Sequence, residues 1–325
     1  MKLRFLLPLL LACACRKPIK VESKAEAMPP PTVRVLAAGQ DHPWGIYVDA
    51  THVYWTNKGS KTPGSIARVE KKEGAAIEPL AEALNVPYGI AVANGRVYWS
   101  LSKPALGGLG SMSLVDRTHV DPTRRFEGSI EEPWAILVRG DRLFFNDLHA
   151  RKIASVGLNA SIDVSQITVL ANTDSAPVGL AVDETHVYWT DSVPGVIAKT
   201  PIEGGPITTL VARGDKTTGL AVDATHAYWS EWGSGRIGKV LKNGGGIAIL
   251  ATEQRGARSI AVDDDRVYWV HPPSSTIRSI GKNGGAIVTH ATGQKHPYAL
   301  AVDATSIYWA NVEGGEVASI EKRLP

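Results

Sequence analysis

One phrase is written seven times along the chain: GIYVDATHVYWTN from Gly45, GIAVANGRVYWSL from Gly89, AILVRGDRLFFND from Ala135, GLAVDETHVYWTD from Gly179, GLAVDATHAYWSE from Gly219, SIAVDDDRVYWVH from Ser259 and ALAVDATSIYWAN from Ala299. Successive copies start 40 to 46 residues apart. That period fits a four-stranded propeller blade and is too long for one coil of a β-helix. Unbroken self-similarity also overrides the two domains that 325 residues would otherwise suggest. The expected fold is all-β, a seven-bladed β-propeller of four-stranded antiparallel blades.

Each copy can be read strand by strand. Gly219 to Val222 is small and apolar, as expected of an innermost strand buried on both faces beside a central channel. Asp223 to His226 is a polar turn, with the aspartate placed to bond backbone two residues on. In the second strand, Ala227 to Ser230, the neighbouring Tyr228 and Trp229 point to opposite faces, so each can pack against an adjacent blade. Arg236 to Leu241 is the third strand, Lys242-Asn243-Gly244 a hairpin turn that recurs at Asn283-Gly284, and Ile247 to Ala251 the outer strand. The seventh copy stops after its third strand, near Glu316 to Lys322. The missing strand is supplied from the other end: VRVLAAGQDHPWGIYVD from Val33 matches IVTHATGQKHPYALAVD from Ile287 position for position, so Val33 to Ala38 should close the last blade and lock the ring.

The second-strand tetrad resembles that of the YWTD and NHL propellers, and the match covers almost all of residues 33 to 322. Tyr188-Trp189-Thr190-Asp191 is the tetrad itself, while the other copies read YWTN, YWSL, FFND, YWSE, YWVH and YWAN. A seventh copy departs from the six blades usual in YWTD propellers. The resemblance implies a binding or scaffolding module, since one such fold carries many functions.

The N-terminus gives an address. Lys2 and Arg4 precede an apolar run from Phe5 to Ala12, a secretory signal too short to span a bilayer as a stable helix. Leu10 and Ala12 before Cys13 resemble a bacterial lipobox, which implies a signal peptide over 1–12 and lipidation of Cys13; Cys15 is the alternative modified residue. Residues 13–31 are polar and close on Pro29, Pro30 and Pro31, the composition of a flexible tether, leaving 32–325 for the propeller. Ala14 stands where an inner-membrane retention signal would carry Asp, so the resemblance favours the outer membrane of a Gram-negative envelope. The only two cysteines fall at this junction, so the body has no disulfide and no thiolate metal site.

Chemistry is harder to find. A net charge of +3, with basic residues scattered among nearly as many acids, leaves no stripe for nucleic acid. No HExxH, GxSxG, phosphate loop or CxxC occurs, and the turn aspartates Asp49, Asp183, Asp223, Asp263 and Asp303 are spread around the ring instead of converging as a calcium site requires. No metal and no cofactor is expected. His52, His186 and His226 in the same turns read as solvated turn residues.

Six tryptophans hold the repeated second-strand column and read as core, with Phe145 in the third blade. Trp44, Trp134 and Trp232 fall in loops on one face. Trp44 and Trp134 share their column with Tyr88 and Tyr298, so blades seven, one, two and three should present Tyr298, Trp44, Tyr88 and Trp134 as an aromatic arc at the channel mouth. The alternative is that these rings, each preceded by a proline, fold over their own loops and cap the core. The last tetrad position, Asn57, Leu101, Asp147, Asp191, Glu231, His271 and Asn311, should reach the same face; in the structural alternative an Asp or Asn there bonds backbone of the next blade.

The expected function is therefore a non-catalytic, monomeric module of the cell envelope that binds a peptide, protein segment or glycan. Stacking would come from Trp44, Tyr88, Trp134 and Tyr298, and orientation from Asn57, Asp147, Arg258 and His271. The alternative is an enzyme. Trp229-Ser230-Glu231 with Ile237-Gly238-Lys239 is similar to the streptogramin lyase propellers, a resemblance that implies a lyase or lactone hydrolase using Glu231 and His271, with a magnesium ion, near Arg258.

Overall fold

A computed structural model describes residues 32–102, 107–117, 119–120, 130–158 and 162–322. The signal peptide, Cys13 and the tether expected from the sequence lie outside the described residues.

Seven four-stranded antiparallel sheets stand side by side. The fifth blade shows the pattern, with strands Thr217–Val222, His226–Glu231, Ile237–Leu241 and Ala248–Ala251 in order from the axis outward. First strands adjoin in sequence, and Pro297–Val302 of blade 7 adjoins Pro43–Val48 of blade 1, which closes a ring. The expected lock is present. Arg34–Ala37 is the outer strand of blade 7, pairing Arg34 with Ser319, Val35 with Ala318 and Ala37 with Val317. The chain thus ends its ring inside a sheet that it began, and no edge is left unpaired at the seam.

Burial follows the repeat. Seven hydrophobic clusters occupy the seven junctions between blades, and each joins the tetrad's first aromatic from one blade to the second aromatic of the next: Tyr54 with Trp99, Tyr188 with Trp229, Tyr308 with Trp55. All six tetrad tryptophans are fully buried. Alternation along a single strand therefore glues two interfaces at once, which is why the adjacent pair of aromatics recurs.

The first strands depart from expectation. Val48, Val222 and Val302 are half-buried, because one side of each first strand forms the wall of the axial channel and only the other packs against neighbouring blades. The hairpin at Lys242 is also longer than read: Gly244, Gly245 and Gly246 all take positive φ, and the outer strand begins at Ala248. At Asn283 the turn is tight, with Gly281 opposite Gly284.

On the face of the ring carrying the turns between first and second strands, Asp49, Asp183, Asp223, Asp263 and Asp303 each use one oxygen for backbone N–H groups of the turn and the other to accept from the tetrad tyrosine, as Tyr268 Oη does at 2.7 Å from Asp263. Lysines from the following blade complete four of these sites. Lys242 reaches Asp183, Lys282 reaches Asp223 at 2.7 Å, Lys322 reaches Asp263 at 2.6 Å and Lys71 crosses the seam to Asp303 at 2.7 Å. Where the lysine position holds Leu114, Leu158 or Ile202, the side chain packs into the neighbouring hydrophobic cluster instead.

Burial pushes the Asp263 carboxyl up, but the hydrogen bonds from Lys322, Tyr268 and backbone outweigh it and hold it down to about 2; Asp183, Asp223 and Asp303 are held lower still, with Lys242, Lys282 and Lys71 as the leading favourable partners. A carboxyl depressed on folding contributes stability that is fully present above its ordinary value of 3.8 and is lost as pH falls through its folded value. The thermal midpoint should accordingly fall steeply between about pH 4 and pH 2, and the Lys282→Met, Lys322→Met double variant should show a shallower fall in the same scan. Equal slopes in the two proteins would count against the lysines.

Candidate functional site

The site grows out of one small device repeated at the blade junctions. The third tetrad residue of a blade accepts from the first-strand N–H of its own blade and donates to a carbonyl at the start of the next. Thr56 Oγ1 accepts from Gly45 N at 2.8 Å and donates to Tyr88 O at 2.9 Å; Ser100 Oγ accepts from Gly89 N and donates to Trp134 O, both at 2.8 Å; Ser230 Oγ accepts from Gly219 N at 3.0 Å and donates to Arg258 O at 2.7 Å. Asn146 does the same with an amide, accepting from Ala135 N and donating to Pro177 and Val178 carbonyls. Glycine in the first strand lets the blades come this close: a Cβ on Gly89 would sit 2.6 Å from Trp134 O, and one on Gly219 2.5 Å from Arg258 O. The carbonyls so held include those of Tyr88, Trp134, Val178 and Arg258, four residues of the column that faces the channel mouth.

Their side chains meet those of Trp44 and Tyr298 over a cavity of about 300 Å³ on the axis, walled by the first strands of all seven blades. This volume lies at the small end of the range ligand sites occupy. The arc is a continuous aromatic cluster. Ring centroids are 3.9 Å apart for Trp44 and Tyr298, 4.1 Å for Tyr88 and Trp134, and 5.2 Å for Trp44 and Tyr88 in an edge arrangement. Trp44, Trp134 and Tyr298 remain half-buried and Tyr88 is buried. Rings packed on one another and still bordering a cavity combine the two readings that the sequence leaves open: they cap the first strands and offer a surface.

Blades 4 to 6 furnish the opposite wall with Val178, Thr218, Arg258 and Ser259. The Arg258 guanidinium lies 4.9 Å from the Tyr298 ring centre, and Lys58 Nζ lies 4.7 Å from that of Trp44 and 5.3 Å from that of Tyr88. Among the described residues Arg258 is the charged residue of the cavity wall, and no carboxylate lines it. Trp232 stays apart, exposed and covered by Lys216 at 5.0 Å.

The structure separates the other expected ligand contacts from this cavity. Asn57, Asp147 and His271 do not line it. Each is buried and committed to its own blade's loops, because the last tetrad position turns away from the axis where the second strand ends. Asn57 Nδ2 donates to Gln40 Oε1 at 2.9 Å and Ser65 Oγ at 3.0 Å. Asp147 accepts from the backbone of Glu131, Glu132 and Ala150, a structural use within the loops that flank its own blade and not, as the sequence alternative has it, in the next blade. His271 Nδ1 meets Ser274 Oγ at 2.6 Å, and burial, followed by the charge of Arg278, lowers its proton affinity. Asp191 is pushed up to about 6 by burial, with Asp174 adding to the effect.

The enzyme reading requires Glu231 and His271 to converge, and they share no contact among the described residues. Glu231 is 1% exposed and its two oxygens are taken by Trp229 Nε1 at 3.0 Å, Arg236 Nε at 2.7 Å and Ser234 Oγ. With these lone pairs engaged and His271 turned to Ser274, the pair does not fit a magnesium ion. Among the described residues no three His, Cys, Asp or Glu side chains are grouped to hold a metal.

Gln40 and Gln294 are the residues that sequence reasoning missed. Gln294 Oε1 accepts from Trp309 Nε1 and Asn311 Nδ2, as Gln40 Oε1 does from Trp55 and Asn57. The signal lay in the Gly-Gln pair preceding both His-Pro-aromatic turns.

Comparison with known proteins places the fold. No family model matches the chain. Virginiamycin B lyase from Staphylococcus aureus superposes with a TM-score of 0.75 at 16% identity, over 90% of this chain and 100% of that one. A streptogramin B lyase gives 0.74 at 13% identity, covering 90% and 98%. The WD40 β-propeller domain of Doa1 gives 0.70 at 11% identity, again over 90% and 98%. The architecture is a seven-bladed β-propeller. These neighbours include enzymes and a domain of another kind, so the likeness carries the fold and leaves function to the site.

If Glu231 is a structural acceptor, Glu231→Ala strands a buried indole N–H and should lower unfolding stability by about 2–3 kcal/mol in urea titration. An unchanged or raised stability would return Glu231 to the list of functional carboxylates.

Proposed function

We propose that this chain is a non-catalytic binding module of the bacterial cell envelope, related to the YWTD and NHL propellers and held by lipid on Cys13 at the end of a flexible tether, with the outer membrane favoured as its site if the source is Gram-negative. It acts as a monomer and engages a peptide, protein segment or glycan through the face that carries Trp44, Tyr88, Trp134 and Tyr298. The observation that carries this reading is the meeting of four aromatic rings around an axial cavity whose other wall is apolar and hydroxylic apart from Arg258. Half-buried aromatic residues on a rigid ring bind with little loss of conformational freedom. Lipid anchoring rests on the Leu10, Ala12 and Cys13 pattern and the composition of residues 13–31. The lyase or hydrolase alternative has less support, since Glu231 and His271 are each committed within their own blade.

Capture from an envelope extract by the full-length protein tests the reading. The Trp44→Ala, Trp134→Ala variant should lose the captured partner while keeping a cooperative melt, with a lowered midpoint because each ring packs on its neighbours. Undiminished capture would remove the aromatic face from the account, and a chelator-sensitive activity abolished by His271→Ala would favour the enzyme.

A further inference from the structure

Arg258 is set apart from the other described arginines by its place in the wall of the axial cavity. Arg68 pairs with Glu78, Arg142 with Glu203 and Arg236 with Glu231, while Arg278 donates through its two terminal nitrogens to Gln254 and Ser274. Arg258 forms no ion pair among the described residues; its guanidinium makes one long contact, 3.4 Å from Nη1 to Tyr298 Oη, and rests over that ring. It is half-buried in the wall of a cavity to which no carboxylate contributes. A guanidinium fork in such surroundings keeps most of its donors for an incoming group, and a low-dielectric setting strengthens what it binds.

The shape of the charge selects the ligand. The fork's geometry fits a carboxylate or a phosphate, but among the described residues Arg258 is the one cation that lines the cavity, which balances the single charge of a carboxylate and not the nearly double charge of a phosphate monoester. Beyond Tyr298 along the arc lie Trp44 and Tyr88, which suit an apolar or aromatic body. Lys58, also without an ion pair among the described residues, adds positive charge above those rings.

We propose that the axial cavity takes an organic carboxylate on a small apolar body, with the carboxylate on Arg258 and the body against the Trp44 and Tyr88 rings. This rests on the binding role assigned to that face and narrows it to an anionic group of stated chemistry. The carboxylate has two sources, a free acid or the C-terminus of a peptide.

Calorimetric titration of the full-length protein separates them. The probes are N-acetylphenylalanine, its amide, and an apolar tetrapeptide ending in phenylalanine with a free or an amidated C-terminus. An acid preferred over its amide by about ten-fold or more supports the assignment; preference seen with both acids fits a free small molecule, and preference confined to the tetrapeptide identifies a chain terminus. Arg258→Gln should abolish the preference and Arg258→Lys restore part of it. Acid and amide bound equally by the natural protein, or a preference that survives Arg258→Gln, overturns the assignment while leaving the aromatic face as a binding surface. Binding of none of the probes also overturns it, and the envelope capture then judges the broader reading by itself.

Discussion

At three blade junctions a single hydroxyl connects this ring to its site. By accepting from one blade's innermost strand and donating to the next, Thr56, Ser100 and Ser230 fix the spacing of neighbouring first strands and, with it, the backbone of Tyr88, Trp134 and Arg258. Each bond is modest in net worth, about 1 kcal/mol. Its consequence is larger, because an error in strand spacing would propagate around the axis and change the size of the cavity. Val270 and Ala310 hold the equivalent position in blades 6 and 7. There Ser259 Oγ accepts from Leu300 N, and the seam relies on the strand Arg34–Ala37.

The two faces of the ring consequently do different work. On one, aspartate, tyrosine and lysine are mutually satisfied, so little of their hydrogen-bonding capacity is left for a ligand. On the other, the aromatic column and Arg258 meet without a carboxylate among them. Satisfied polar networks rigidify a structure; unsatisfied charge beside apolar surface is where recognition can occur.

Most of the fold could be read from spelling. Seven copies, the small first strands and the Val33 to Ile287 match led to the blade count and the seam, because a repeat obliges like positions to occupy like places. The Tyr-Trp pair was equally legible, since strand alternation leaves two neighbours only opposite faces. The aromatic arc followed from register alone. What register could not convey was the direction of a side chain where a strand hands over to a loop: Asn57, Asp147 and His271 share a column with one another, and each finds its partner in a loop whose course depends on contacts made elsewhere. Glu231 and His271, adjacent by blade, were separated for the same reason. Arg258 was placed correctly near the mouth, but its lack of an ion pair is a property of the assembled cavity.

The central claim is that the tetrad hydroxyl sets the spacing of the innermost strands. Hydrogen–deuterium exchange resolved to single amides tests it in the Thr56→Val variant, which keeps the shape of the side chain and removes its hydroxyl. The account predicts faster exchange at Gly45, whose N–H loses its acceptor, and in the first strand of blade 2 beginning at Pro87, with blades 4 and 5 unchanged. Protection at Gly45 equal to that of the natural protein, or loosening spread evenly over all seven blades, would contradict it.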